Sequence, residues 1–362
     1  MSIPVVSFAK ATLLCLLLTQ LSRAQNYIAP PKNFVKMYYK GYQKYVFPKD
    51  AYYLEKSLPV NANKEAKIDY TEKLQQAINK YPVVIMPNFP VLINSKGLLI
   101  PSDRIIYFNQ YSMIKFKGPA LERLNDIIKI YDVSNVKIYN ANIIGSRREK
   151  SNQKGEWSAG ICVLNSSNVE INNFQIKDTW GDGIFIGSEN GKVSSNIVVK
   201  NGFIDFARRD GVSITSADNL DIDYVFISNT YGTLPMSGIQ IEPSLYSEII
   251  QNVKLKNIYT YNNPGGLIIN LQSFSAKSGL NKKEVSVNVK NFTDEGSNYS
   301  FGTSISNDDL TQNPIGKIMI TNAVWKNPKK DFYWRNSNAY DINIVLDKIN
   351  KYKNNKLIST ED

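Results

Sequence analysis

Two short motifs recur in step along the middle of the chain, and that recurrence constrains the fold more than any other feature. One series reads Gly160-Ile161-Cys162-Val163, Gly183-Ile184-Phe185-Ile186, Gly211-Val212-Ser213-Ile214, Gly238-Ile239-Gln240-Ile241 and Gly266-Leu267-Ile268-Ile269. The other reads Asn135-Val136-Lys137-Ile138, Asn168-Val169-Glu170-Ile171, Asn196-Ile197-Val198-Val199, Asn219-Leu220-Asp221-Ile222 and Asn252-Val253-Lys254-Leu255. Each is a short alternating strand opened by a turn residue. Successive glycines lie 23 to 28 residues apart, and the asparagines keep phase with them. Two interleaved strand series at one period predict a solenoid of β-strands, one coil per repeat. The recurrent Asn suits a ladder of stacked amides.

The flanking regions read as accessories to that solenoid. Asp69 and Glu72 resemble a capping box, and Leu74, Ala77, Ile78 and Tyr81 follow at helical spacing until Pro82. A helix there would cover the open end of the coils. Residues 1–24 carry Lys10, an apolar run from Ala11 to Leu21, and Ser22-Arg23-Ala24 at a cleavage position, which is the pattern of an export leader. Leu14 before Cys15 argues against a lipoprotein signal. The expected organisation is a leader over 1–24, a wrapping segment over 25–64, one β-helix over 65–350 and a tail over 351–362. The expected location is outside the cytoplasm: secreted, periplasmic or at the cell surface. No membrane span is expected, because the leader's apolar run is too short for one and no later run is long enough.

Composition narrows the chemistry. Histidine is absent, which removes imidazole-based triads, dyads and zinc sites. With only Cys15 and Cys162 there is no disulfide framework, and Cys162 reads as an inert core thiol. The net charge of +11 fits an acidic polysaccharide better than nucleic acid for an exported chain. It fits equally the drift of an Asn-, Lys-, Ile- and Tyr-rich composition.

The order of cap helix, irregular strands and paired Asn-Val-x-Ile and Gly-Ile-x-Ile coils resembles the right-handed parallel β-helix proteins of the pectate-lyase-like superfamily. Asp182-Gly183-Ile184 and Asp210-Gly211-Val212-Ser213-Ile214 resemble the carboxylate-bearing strands of polygalacturonase-type glycoside hydrolases. Gly181 to Gly187, Arg208 to Gly211 and Gly238 to Pro243 also resemble secreted and phage-tail β-helix proteins that act on polysaccharides. Two departures stand out: Arg209 replaces the first Asp of the hydrolases' Asp-Asp pair, and Ser237 stands near their histidine. The resemblance implies an all-β, single-stranded right-handed parallel β-helix with an N-terminal capping helix.

Alternation along the Gly-Ile strands places Cys162, Phe185, Ser213, Gln240 and Ile268 in one outward column, with the glycines also outward. Leu164, Gly187, Thr215, Glu242 and Asn270 form the next column. Asp182 and Asp210 fall in one turn column about 4.8 Å apart, with Trp180 over Arg208 beside them. The longer connections, 145–158 and 228–237, would wall a groove bordered by Trp157, Trp180 and Tyr231. Glu242, about 16 Å along the strand, would be a substrate contact together with Gln240.

Three functions fit. The first is hydrolysis of an acidic polysaccharide, with Asp182 and Asp210 as the carboxylate pair and Arg208 and Arg209 gripping the sugar's acid. It needs no cofactor. The second is β-elimination, with Asp182 and Asp210 holding calcium and Arg209 taking the proton. The third is glycan binding without catalysis. Asp-Gly is also ordinary turn chemistry, and the two arginines would equally serve as its counter-charges. A monomer is expected.

Overall fold

The computed structural model describes residues 27–118, 125–149, 155–276, 279–305, 312–335 and 341–361. The leader lies outside them. The chain is a parallel β-solenoid of about nine turns. The Gly-Ile strands build one nine-stranded sheet, running from Leu98–Leu99 through Ile128–Tyr131, Ile161–Leu164, Ile184–Gly187, Val212–Ile214, Ser237–Ile241 and Gly265–Asn270 to Tyr299–Ser304 and Lys330–Arg335. The Asn strands belong to a second, fifteen-stranded sheet of longer, bent strands such as Ser167–Lys177 and Ser195–Asp205. The register agrees with the sequence columns: Cys162 pairs with Phe185, Phe185 with Ser213, Ser213 with Gln240 and Gln240 with Ile268.

The asparagines do more than stack. Asn135, Asn168, Asn196, Asn219 and Asn252 all have φ between 54° and 60°, a left-handed corner that Asn tolerates better than other side chains. Their amides then form the expected ladder from Asn219 to Asn196 (2.7 Å), Asn168 (3.1 Å) and Asn135 (3.1 Å). Asn252 leaves that ladder and donates to Asp218 instead. A second corner column, Asn173, Asn201, Asn257, Asn291 and Asn322, bends the long strands midway in the same way.

The repeated glycine answers to close approach, and here alternation misleads. A Cβ on Gly183 would lie 2.5 Å from Ile204 Cγ2 and 2.6 Å from the Gly211 carbonyl oxygen. On Gly211 the corresponding contacts would be 2.2 Å to Ile227 and 2.6 Å to Gly238. The glycine sits at the corner where the chain turns toward the core, so its missing side chain points inward, not outward. Inside, columns of Ile, Val and Leu stack without exposure, joined by Phe174, Phe292, Phe301 and Trp325.

Helix α1 spans Lys32–Tyr38 and helix α2 spans Thr71–Lys80. Helix α2 buries Leu74, Ala77 and Ile78 over the first coils, as its spacing predicts. Asp69 accepts the Thr71 N–H at 2.9 Å, but the N-cap position is Tyr70, and Glu72 pairs with Lys96 and does not close a capping box. Helix α1 has no periodic signal. Phe34, Val35, Tyr38 and Tyr39 around it lie on an outer cluster of Phe203, Phe226 and Tyr259. The segment 351–361, expected as a tail, completes the strand Ile342–Lys353 and folds back as Lys356–Glu361, antiparallel to it.

Candidate glycan groove

The turn column that carries Asp182 and Asp210 is a ladder between coils. Asp126 Oδ1 accepts the Ala159 N–H (2.6 Å), Asp182 Oδ1 accepts the Asp210 N–H (3.0 Å), and Asp210 Oδ1 accepts the Ser237 N–H (2.7 Å). Each carboxylate thus ties its turn to the coil that follows. The two predicted neighbours do stack, yet they differ in access: Asp182 is 4% exposed and lines a groove, while Asp210 is fully enclosed. Asp210 also accepts from the Ser213 hydroxyl at 3.0 Å. It lies behind the groove, out of reach of a substrate.

Arg209 fills the space between the acids. Its Nη1 donates to Asp182 Oδ2 at 3.1 Å, and its Nε lies 3.8 Å from Glu156 and 3.9 Å from Asp210. That Nε is buried with no hydrogen-bond partner. Burial raises the Asp182 carboxyl above its ordinary range against the pull of Arg209. Burial and the Asp182 charge raise Asp210 to about 7. Asp182 in turn pushes Arg209 up, which disqualifies it as a base.

The groove encloses about 520 Å³ over four consecutive short strands. Its floor is Phe185, Ser213 and Gln240; Trp157, 40% exposed, stands at one end. Of the residues expected to form a site, it brings together Asp182, Arg209, Trp157, Gln240 and Glu242. Glu242 is oriented by Gln240 Nε2 (3.2 Å) and Asn270 Nδ2 (2.7 Å).

Three others are elsewhere. Trp180 is only 6% exposed, and the Arg208 guanidinium covers its ring at 4.1 Å while donating to the Gly155 carbonyl. The expected stacking is present, but it consumes both as substrate contacts. The Arg147 guanidinium lies over the Tyr231 ring (4.8 Å), and Tyr231 meets Phe206 edge to face (5.5 Å).

The walls also differ from expectation. The 145–158 connection contributes Glu156 and Trp157, whereas residues 228–237 contribute nothing; Ser188 to Asn190 and Ser244 to Glu248 stand there instead. These were detectable. From Gly183 to Asn196 and from Gly238 to Asn252 the chain takes 13 and 14 residues, against 8 from Gly160 to Asn168 and from Gly211 to Asn219. The long connections that matter follow the strands.

Charge and donor chemistry bear on the remaining expectations. Among the described residues, Asp126, Glu156, Asp182, Glu189, Glu242 and Glu248 line the groove and Arg209 is the cation, so the basic balance of the chain is not a feature of this described lining. Calcium does not fit between Asp182 and Asp210: their oxygens already accept N–H and O–H donors, and a guanidinium occupies the cation's place. Cys162 is buried beside Ala159 and Leu164, with its thiol pushed well above the ordinary range by burial.

Comparison with known proteins bears on the fold. No protein-family model matches the chain. Two Bacillus subtilis (strain 168) proteins are similar in sequence. The uncharacterized protein YclG is 25% identical over 248 residues, 58% of this chain and 42% of its own length. The SPbeta prophage-derived uncharacterized protein YorA is 24% identical over 217 residues, 51% of this chain and 37% of its own. The chain thus matches less than half the length of either.

Among solved structures, a mutant tailspike protein of E. coli bacteriophage HK620 in complex with a pentasaccharide aligns with TM-score 0.62 and 11% identity, over 84% of this chain and 57% of that one. A 1,3-α-1,4-β-D-galactose-4-sulfate-3,6-anhydro-D-galactose-2-sulfate 4-galactohydrolase aligns at 0.55 and 13%, over 92% and 97%. The endo-xylogalacturonan hydrolase of Aspergillus tubingensis aligns at 0.51 and 13%, over 81% and 90%. The fold is that of the pectate-lyase-like β-helix proteins. Among the described residues no helix is long and apolar enough to cross a membrane.

Proposed function

We propose that the groove binds a neutral polysaccharide and hydrolyses it, with Asp182 as general acid and Glu156 as general base. One observation carries this reading: a single guanidinium, Arg209, reaches both carboxylates, Asp182 at 3.1 Å and Glu156 at 3.8 Å. Their facing oxygens are therefore no further apart than about 9 Å, which does not exceed the upper limit of the roughly 6.5–9.5 Å at which two carboxyls can flank a glycosidic bond and a water. Burial raises the Asp182 carboxyl above its ordinary range, the direction a general acid needs. Glu156 is half exposed and accessible to water. Trp157 and Phe185 offer apolar ring faces, and Glu242 offers a partner for hydroxyls. The acidic lining opposes a uronate, so an acidic polymer is the poorer substrate. The saccharide-directed names of the structural neighbours support the substrate class. The leader-like pattern over 1–24 supports action outside the cytoplasm, and the chain is proposed to work as a monomer.

A second reading, binding without turnover, draws on one feature: both Asp182 oxygens are already engaged, by the Asp210 N–H and by Arg209. A panel of neutral and acidic polysaccharides assayed for new reducing ends decides between the two. Hydrolysis predicts release from a neutral polymer, lost on the order of 10²-fold or more in Asp182→Asn and Glu156→Gln. Retained binding with no release selects the second reading. Release of an unsaturated, ultraviolet-absorbing product that a chelator stops would overturn both.

A further inference from the structure

A line of hydrogen bonds leads from the enclosed Asp210 to the groove. Asp210 Oδ1 lies 2.9 Å from Ser237 Oγ, Ser237 Oγ lies 3.0 Å from Gln240 Oε1, and Gln240 Nε2 lies 3.2 Å from Glu242 Oε2. Ser237 is fully enclosed and Gln240 is 2% exposed, so solvent does not complete the line. Three contacts need three protons. The Ser237 hydroxyl supplies one, and the Gln240 amide can present N–H at only one of its two ends, which supplies a second. The third must sit on a carboxyl at one end of the line.

We infer that Asp210 and Glu242 share one proton through Ser237 and Gln240, so that a buried acid sets the charge of a groove carboxylate. In one state the proton is on Asp210 Oδ1: it donates to Ser237 Oγ, Ser237 donates to Gln240 Oε1, and Gln240 Nε2 donates to ionised Glu242. In the other state Glu242 Oε2 carries the proton and donates to Gln240 Oε1. The amide is then turned, its Nε2 donates to Ser237 Oγ, and Ser237 donates to ionised Asp210. The number of protons is the same in both states, and no group leaves the line. Asn270 Nδ2 donates to Glu242 Oε1 in either state, which keeps Oε2 facing Gln240.

The charged groups around the line favour the first state. From the preceding coil Asp182 faces Asp210, and Arg209 lies between them at 3.1 and 3.9 Å. From the following coil Asp210 meets only the uncharged Ser237. Glu242 shares the groove with Arg209 and with Glu156, Glu189 and Glu248. Under the glycan reading, Asp210 is a positioning residue. It keeps Glu242 an acceptor for sugar hydroxyls near neutral pH, and KM should follow the line more than kcat.

The test reads protonation and needs no substrate, so its outcome is separate from that of the glycan reading. The full-length protein is prepared with 13C-carboxyl aspartate, and protonated carboxyls are followed against pH by difference infrared spectroscopy, with Asp210→Asn marking the Asp210 signal. In Glu242→Gln the new amide keeps its oxygen toward Asn270 and presents N–H to Gln240, supplying the missing proton. Asp210 should then lose its own proton at a pH lower by about one unit or more. In a Ser237→Ala background, and in a Gln240→Met background, the same Glu242→Gln change should have little effect on Asp210. An equal shift in the broken and intact lines would show ordinary charge repulsion and overturn the inference, as would no shift in either.

Discussion

The enclosed Asp210 makes a counter-intuitive stability prediction. In Asp210→Asn the amide oxygen can accept the Ser237 N–H, 2.7 Å from the present Oδ1, and the amide N–H can face Ser213 Oγ, 3.0 Å from Oδ2, while the Ser237 hydroxyl donates to Gln240. The variant therefore keeps the ladder but cannot ionise. In the fold Asp210 is raised to about 7, chiefly by burial, whereas an unfolded Asp titrates near 3.9. An acid whose folded value is raised contributes stability that is complete below about pH 4 and lost as pH rises through about 7. At about 1.36 kcal/mol per pH unit, a gap of about three units amounts to at most about 4 kcal/mol. Asp210→Asn should thus match wild type within about 1 kcal/mol near pH 4 and exceed it by up to about 4 kcal/mol near pH 8. In thermal unfolding that is a gain on the order of 5 °C for a chain of this length. Asp126 and Asp182 in the same column and Asp294 on the long sheet are also buried and raised, so both proteins lose stability with pH; the difference between them isolates Asp210. A variant less stable than wild type by one constant amount at both pH values would show that Asp210 is ionised in the fold, and the reasoning would fail.

Trp157→Ala should weaken glycan binding without moving the melting temperature, while Trp180→Ala should cost about 3–5 kcal/mol because the ring is buried under Arg208; calorimetry and binding isotherms on both variants check the contrast. Gly211→Ala should cost about 1–3 kcal/mol or more, since its Cβ would lie 2.6 Å from a backbone oxygen of the next coil; an unchanged denaturation midpoint would contradict the close-approach account. Binding should respond little to salt, because a neutral glycan brings no charge for ions to screen; a steep fall in affinity with ionic strength would restore the acidic-polymer reading.

The coil period and the facing of most side chains were legible in the sequence, because one repeat makes one coil and the Gly and Asn columns keep register. Asp182 beside Asp210, and Trp180 under Arg208, followed from that register. What the sequence did not disclose lies in the turns, where alternation no longer determines direction. Arg208 turns away from the groove while Arg209 enters it, and Gly183 faces the core. Asp-Gly reads alike whether its carboxylate meets solvent or the next coil's N–H. Glu156 has no periodic partner, so only the groove's geometry could single it out. Helix α1 lacks its own apolar stripe and takes its shape from the aromatic face beneath it.

The central claim is a place as much as a reaction: a neutral glycan should lie across the short strands from Trp157 to Glu242. A crystal structure of Asp182→Asn with an oligosaccharide of the polymer that wild type cleaves or binds tests it most directly. The account predicts a sugar ring against Trp157 or Phe185, a hydroxyl on Glu242, and a glycosidic oxygen within hydrogen-bond reach of residue 182. A glycan seated instead on the long sheet, or in the separate hollow by Tyr246, Lys282 and Lys283, would contradict it.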